Sequence, residues 1–261
     1  MVKRAGDVTA CCAAAAPLGR RGGGPYNRVM HEAATMELLT ALDTTEARRR
    51  MVDGQLRPNK VTDPRVIAAM LDLPRERFLP PALAARAYGD GIIALPGGRA
   101  MLTPMVTARL IQLLGLRDGD RMLVVGAGTG YLSAVAAHCG ARVTALEEDA
   151  ALRAIAAPAL GGLFPAGAVT LVAGSLPEGH EAAAPYDAVL IEGEVPAIPA
   201  ALSAQLAEGG RLAAILAARG PAAGPRAVIG RKAGGSFGVT DAFDCATVPL
   251  PAFQPAPGFV F

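Results

Sequence analysis

Apolar positions recur at three- and four-residue steps from Met36 onward, at Leu38, Leu39, Leu42, Ala47 and Met51, and predict a helical stretch running to residue 55 and stopped near Pro58. Thr62 and Asp63 then read as caps for a second helix with Pro64 in its first turn and Val66, Ile67 and Met70 facing inward. A loop over residues 99–104 feeds a third helix, 105–114, whose apolar face carries Val106, Leu110 and Leu113. From residue 122 the pattern changes. Short apolar runs at 122–125, 143–146, 169–173, 188–191 and 212–216 alternate with helical patterns at 131–138, 150–160 and 198–206. Strands apolar on both faces and separated by helices predict a mostly parallel sheet covered on both sides, with right-handed crossovers. The expected fold is therefore doubly wound α/β with N-terminal flanking helices. Runs at 227–229 and 237–243 follow as an antiparallel edge, and a proline-rich end closes on Phe259, Val260 and Phe261. The body divides into a helical flank (36–100), an α/β core (101–216) and C-terminal edge strands (217–261) of one domain, without internal repeats.

Residues 1–35 show no sustained period. They hold Lys3, Arg4, Arg20, Arg21 and Arg28 against Asp7 and Glu32, so the positive charge of the chain sits there and the rest is slightly acidic. This segment is expected to be a disordered tail, or translation begun upstream of the natural start, with Met36 as the alternative start. A slightly acidic body with 4% aromatic residues lacks the footprint of a dedicated nucleic-acid binder. The longest uncharged run, 154–177, has the length of a membrane span, but Pro158, Pro165 and Pro177 break it, so no membrane span is expected. Cys11, Cys12, Cys139 and Cys245 have no metal-ligand spacing and the chain has three histidines, which points to no metal centre and to a reducing, cytoplasmic setting.

The chemistry begins where the run 122–125 meets Gly126-Ala127-Gly128-Thr129-Gly130 and the helix opening at Tyr131. Glycines there let the chain turn sharply and let a ligand approach the backbone beyond the carboxyl end of a strand. The next run ends at Glu147, which would stand at the neighbouring strand tip and accept both hydroxyls of a ribose. The third glycine comes one residue earlier than in the usual dinucleotide spacing, which favours S-adenosyl-L-methionine over NAD.

Several segments together resemble the protein-L-isoaspartate O-methyltransferases, which are S-adenosylmethionine-dependent and Rossmann-like. They are Met51-Val52-Asp53-Gly54-Gln55-Leu56-Arg57-Pro58, Pro74-Arg75-Glu76-Arg77-Phe78-Leu79-Pro80, Ala87-Tyr88-Gly89-Asp90, the glycine motif with Tyr131, Pro185-Tyr186-Asp187-Ala188 and the stretch 205–212. The resemblance implies methyl transfer to L-isoaspartyl and D-aspartyl residues of damaged proteins, with protein or peptide as the partner. It puts the methionine part of the cofactor on Gly126–Gly130, its ribose on Glu147 and its adenine beside Gly174 and Ser175, where the family carries Gly-Asp. Glu192, after the fourth strand, either lines the crevice as a further cofactor contact or is a solvated strand end. The family's Gln-Thr-Ile-Ser-Gln-Pro loop, which holds the substrate carboxylate, reads here as Arg99-Ala100-Met101-Leu102-Thr103-Pro104. Leu102 thus stands at the serine position, and the expected acceptor contacts are Leu102 itself, Arg99, as a bidentate partner, and Thr103, which is also the catalytic candidate, with the alternatives that Arg99 is a surface charge and Thr103 a helix cap. The rival functions are a methyltransferase with another acceptor, a catalytically silent cofactor-binding protein, and an NAD-dependent oxidoreductase.

Overall fold

The computed structural model describes residues 44–218, 220 and 223–254. The expected tail (1–35), the start of the first helix at Met36 and the terminal Phe259, Val260 and Phe261 lie outside the described residues. Helix α1 (44–51) runs into a wider turn, Val52–Leu56, and a tight one, Arg57–Asn59, where Pro58 ends it. Helix α2 (Pro64–Asp72) starts on the Asp63 side chain, which accepts from the Arg65 N–H. Helix α3 (Pro104–Leu114) starts on Thr103. Between them lies a feature that the helical reading of 36–100 lacked, a small hairpin of β1 (Ile93–Ala94) and β2 (Ala100–Met101). Its turn closes with the Leu95 N–H on the Arg99 carbonyl at 2.8 Å.

The core is a seven-stranded sheet containing β3 (Arg121–Val125), β4 (Arg142–Leu146), β5 (Val169–Val172), β6 (Tyr186–Val195), β7 (Leu206–Leu216), β8 (Arg226–Ala233) and β9 (Ser236–Asp244). Their order is β5-β4-β3-β6-β7-β8-β9, parallel through β7 and antiparallel from β7 to β9. Helices α4 (Tyr131–His138), α5 (Ala150–Gly161) and the short α6 (Ala200–Ala204) connect the parallel strands. Alternation sorts the strand residues onto two faces. Met122, Val124, Ala188 and Leu190 pack in the core shared with α2 to α5, while Leu123, Val125, Val189 and Ile191 pack with Leu176, Leu202 and Leu250. Both layers are needed to bury strands this apolar.

Two boundaries differ from the periodicity. The expected helix 198–206 shrinks to α6, because from Leu206 the backbone enters the sheet against Tyr186. Strand β6 runs past the apolar stretch to Val195, because the returning C-terminal segment pairs with it. The Glu194 N–H donates to the Val248 carbonyl (3.2 Å) and the Leu250 N–H to the Glu194 carbonyl (2.8 Å). Among the described residues no helix is long and apolar enough to cross a membrane.

Candidate active site

Strand β3 is flanked by β4 on one side and β6 on the other, so the chain reverses its direction of growth there and leaves a crevice beyond the strand ends. The turn 126–130 sits at that point. Gly126 and Ala127 donate their N–H groups to the Leu146 carbonyl at 2.9 and 3.0 Å, tying the turn to the tip of β4. Two glycines have distinct jobs. A Cβ on buried Gly128, at φ +55°, would meet the Gly126 carbonyl oxygen at 3.9 Å, an ordinary contact, whereas a Cβ on Gly130 would stand 3.1 to 3.2 Å from Leu160 and Ala156. The first is the less crowded position, and the second lets α4 pack closely on α5.

Glu147 follows β4 directly, and its carboxylate is 0% exposed. Its Oε2 accepts from the Gly128 N–H at 2.7 Å, while its Oε1 accepts from the Asp149 N–H at 2.9 Å and from Arg99 Nη1 at 2.8 Å. The other arm of Arg99, Nη2, donates to the Gly126 carbonyl at 2.6 Å. Arg99 is thus tied to Glu147 and to the turn 126–130, and it is buried rather than a surface charge. The cause is the hairpin turn. Gly97 lies so close to Asp149 that a Cβ would come within 2.9 Å of its Oδ2, and this docking carries Arg99, 5% exposed, over Gly126.

Leu102 is not an acceptor contact. Its side chain is 1% exposed in the core, and its carbonyl accepts from the buried Arg75. The Thr103 hydroxyl caps α3 by accepting from the Val106 N–H at 3.3 Å, as in the cap alternative. The Tyr131 ring leaves the crevice as well. It packs edge-on against Phe78 at 5.4 Å, lies under Arg75 at 4.6 Å, and points its hydroxyl at the Met70 sulfur, so only its backbone faces the turn. Ala127 and Thr129 are buried within the turn, whereas Gly174 and Ser175 stand exposed just past β5, next to the strand that ends in Glu147.

Glu192 lies on the opposite side of β3 from Glu147. It follows Ile191, the partner of Val125, and is 7% exposed rather than solvated. Burial raises its pKa well above the usual carboxylate value, with Arg99 and Arg75 opposing the rise and Glu147 adding to it. Leu250 completes the enclosure, with its methyl carbons 3.5 Å from where a Gly126 Cβ would be.

Arg75, Asp149 and Leu250 shape this site without having been singled out from the sequence. Arg75 carried a signal, being a charged residue in a segment that must pack, between Leu73 and Phe78. Leu250 carried none, because its place depends on the chain returning to β6.

Residues 46–252 match the family described as protein-L-isoaspartate(D-aspartate) O-methyltransferase. The chain is 45% identical over 170 residues to the protein-L-isoaspartate O-methyltransferase of Methylorubrum extorquens, covering 65% of this chain and 74% of that one. It is 36% identical over 203 residues to the enzyme of that name from Koribacter versatilis, covering 78% and 90%. In fold it is similar to a Plasmodium falciparum protein-L-isoaspartate O-methyltransferase structure in complex with S-adenosyl-L-homocysteine, with a TM-score of 0.65, 19% identity and coverage of 80% of this chain and 98% of that one. With a match that runs from α1 through the segment beside β6, and so spans every element that builds the crevice, the chain belongs to the protein-L-isoaspartate(D-aspartate) O-methyltransferase family.

Proposed function

We propose that this chain is an S-adenosyl-L-methionine-dependent carboxyl methyltransferase acting on L-isoaspartyl and D-aspartyl residues of damaged proteins or peptides, in the cytoplasm, with no nucleic-acid partner. The observation that carries the reading is the buried Glu147 carboxylate at the β4 tip, hydrogen-bonded to the Gly128 N–H of the turn 126–130.

The residues present fit the cofactor. A carboxylate offers about four lone-pair positions. Three are taken in Glu147, one by Gly128 on Oε2 and two by Arg99 and Asp149 on Oε1. The remaining position, on Oε2, is left for one ribose hydroxyl rather than the two expected from the sequence, and because the side chain is 0% exposed a neighbouring group has to give way to admit it. Gly128 is the less crowded position for the methionine part, and exposed Ser175 offers a hydroxyl on the adenine side.

When bound, S-adenosylmethionine supplies a methyl group made electrophilic by its sulfonium. The acceptor carboxylate has a reference pKa of about 4 and is ionised at neutral pH, so the chain need supply no general base. This accounts for a crevice built around carboxylates, arginines and backbone rather than a histidine or a thiol. The chain's contribution is orientation, which lowers such barriers by several kcal/mol. Arg99 and Leu250 close over Gly126 and exclude water from it.

The test is transfer of a labelled methyl group to an isoaspartyl peptide, with the aspartyl peptide as control. Label in the first alone is the expected result. Tight cofactor binding without transfer rejects the repair assignment and favours another acceptor, a reading to which the burial of Leu102 already lends weight.

A further inference from the structure

The β6 side of the crevice contains a carboxyl group whose surroundings leave it unfinished. Between Leu190 and Glu194, β6 advances four residues while its neighbour β7 advances two, from Ala213 to Ile215. The resulting bulge holds Glu192, and bulges beside active sites re-aim side chains. Glu192 is buried, yet its Oε2 has no hydrogen-bond partner among the described residues. Buried polar atoms are nearly always paired, and an exception calls for a reason.

The charged groups acting on Glu192 are Arg99, from the hairpin over the turn 126–130, Arg75, from the segment Arg75–Phe78 (a single tight turn), and Glu147, from the tip of β4. Arg99 is held by Glu147 and Gly126, while Arg75 is held by the Ala87 and Leu102 carbonyls. Neither arginine is hydrogen-bonded to Glu192, but both make its side of the crevice favourable for an arriving anion.

We propose that Glu192 binds the acceptor, its Oε2 carrying the carboxyl proton and donating a hydrogen bond to the acceptor's side-chain carboxylate. This rests on the isoaspartyl reading above. In the reaction an acceptor oxygen lone pair forms the bond to the methyl carbon, and the carbon–sulfur bond breaks with its electron pair left on sulfur. No proton is released, so a base at Glu192 would have nothing to remove. An ionised Glu192 would set a second negative charge against the acceptor, whereas a protonated one supplies a donor that Leu102 cannot. Burial, which raises the Glu192 pKa, favours the protonated form, as for other carboxylic acids that donate hydrogen bonds from apolar sites.

The test compares wild type, Glu192→Gln and Glu192→Leu with an isoaspartyl peptide across pH, with S-adenosylhomocysteine affinity and thermal melting measured on each. Glutamine retains an N–H donor, so Glu192→Gln is expected to turn over with KM within about threefold of wild type at low pH. In wild type the KM rises as pH climbs through the raised Glu192 pKa, and in Glu192→Gln that rise disappears. Glu192→Leu raises KM by about 10- to 100-fold, the loss of a hydrogen bond to a charged group, with cofactor-product affinity unchanged. Loss of turnover in Glu192→Gln, a wild-type KM in Glu192→Leu, or the same pH profile in wild type and Glu192→Gln overturns the proposal while wild-type methylation upholds the isoaspartyl reading. A wild type that binds the cofactor product but neither binds nor methylates the peptide overturns both. The Glu192→Gln pH profile decides the matter even where Glu192→Leu fails to fold.

Discussion

Arg99→Ala removes one member of an ion pair whose side chains are 5% and 0% exposed, so solvent does little to screen the loss. Glu147 keeps the Gly128 and Asp149 N–H groups but loses its only cationic partner among the described residues. Breaking a buried pair from one side costs about 3–5 kcal/mol, and the two remaining donors put the expected cost near the lower end, about 3 kcal/mol. For a domain of this size that is a fall in melting temperature of roughly 6–12 °C. Glu147→Gln is also destabilising, since it leaves Arg99 buried without a counter-charge. The double variant is expected to lose about 1–3 kcal/mol less than the two single losses combined, because the second change removes a charge that the first has already stranded. Thermal melts followed by circular dichroism give the cycle, and calorimetry with S-adenosylhomocysteine gives the functional side. Arg99→Ala weakens cofactor-product binding, because Glu147 Oε1 loses its anchor, and raises the acceptor KM by less, because Arg99 reaches the acceptor side only as a nearby positive charge. Additive losses, or a raised acceptor KM with unchanged cofactor affinity, would refute the assignment of Arg99 to the cofactor cradle.

Leu102→Ser restores the family's residue in sequence but not its function, because the position is packed in the core. It should cost about 2–5 kcal/mol in a denaturant melt and bring no gain in methyl transfer, and a gain would show that the loop can present this side chain to the acceptor. Gly128→Ala should cost only about 1–2 kcal/mol of stability, for a left-handed alanine without a steric clash, while sharply weakening S-adenosylhomocysteine in calorimetry, and unchanged affinity would remove Gly128 from the site. Because the folded Glu192 pKa is raised, its folded form holds a proton that the unfolded chain has given up, so its favourable contribution is complete below about pH 4.3 and is lost as pH rises through the folded value. Melting temperatures of Glu192→Gln relative to wild type should therefore rise with pH across that window, and a constant difference would contradict the shift.

The alternation of apolar runs and helical patterns was enough to place the parallel sheet, and the strand–glycine–helix junction with Glu147 was enough to place the crevice, because both depend on neighbours along the chain and on one rule of strand order. Caps such as Asp63 and Thr103 were equally local. What the periodicity could not carry was each contact made across the fold. The Arg99 side chain had an evident chemistry, but its partner lies 48 residues away and is reached only because the hairpin turn docks on Asp149. Leu102 is a leucine in any reading, and only packing makes it a core residue instead of a gap in an acceptor site. The length of β6 and the lid over Gly126 arise from the pairing of Glu194 with Val248 and Leu250, a return of the chain that leaves no mark in local pattern. Glu192 combines the two cases. Its place after an apolar run was legible, whereas its burial, its unpaired oxygen and its raised pKa come from the bulge and the arginines brought in from other segments.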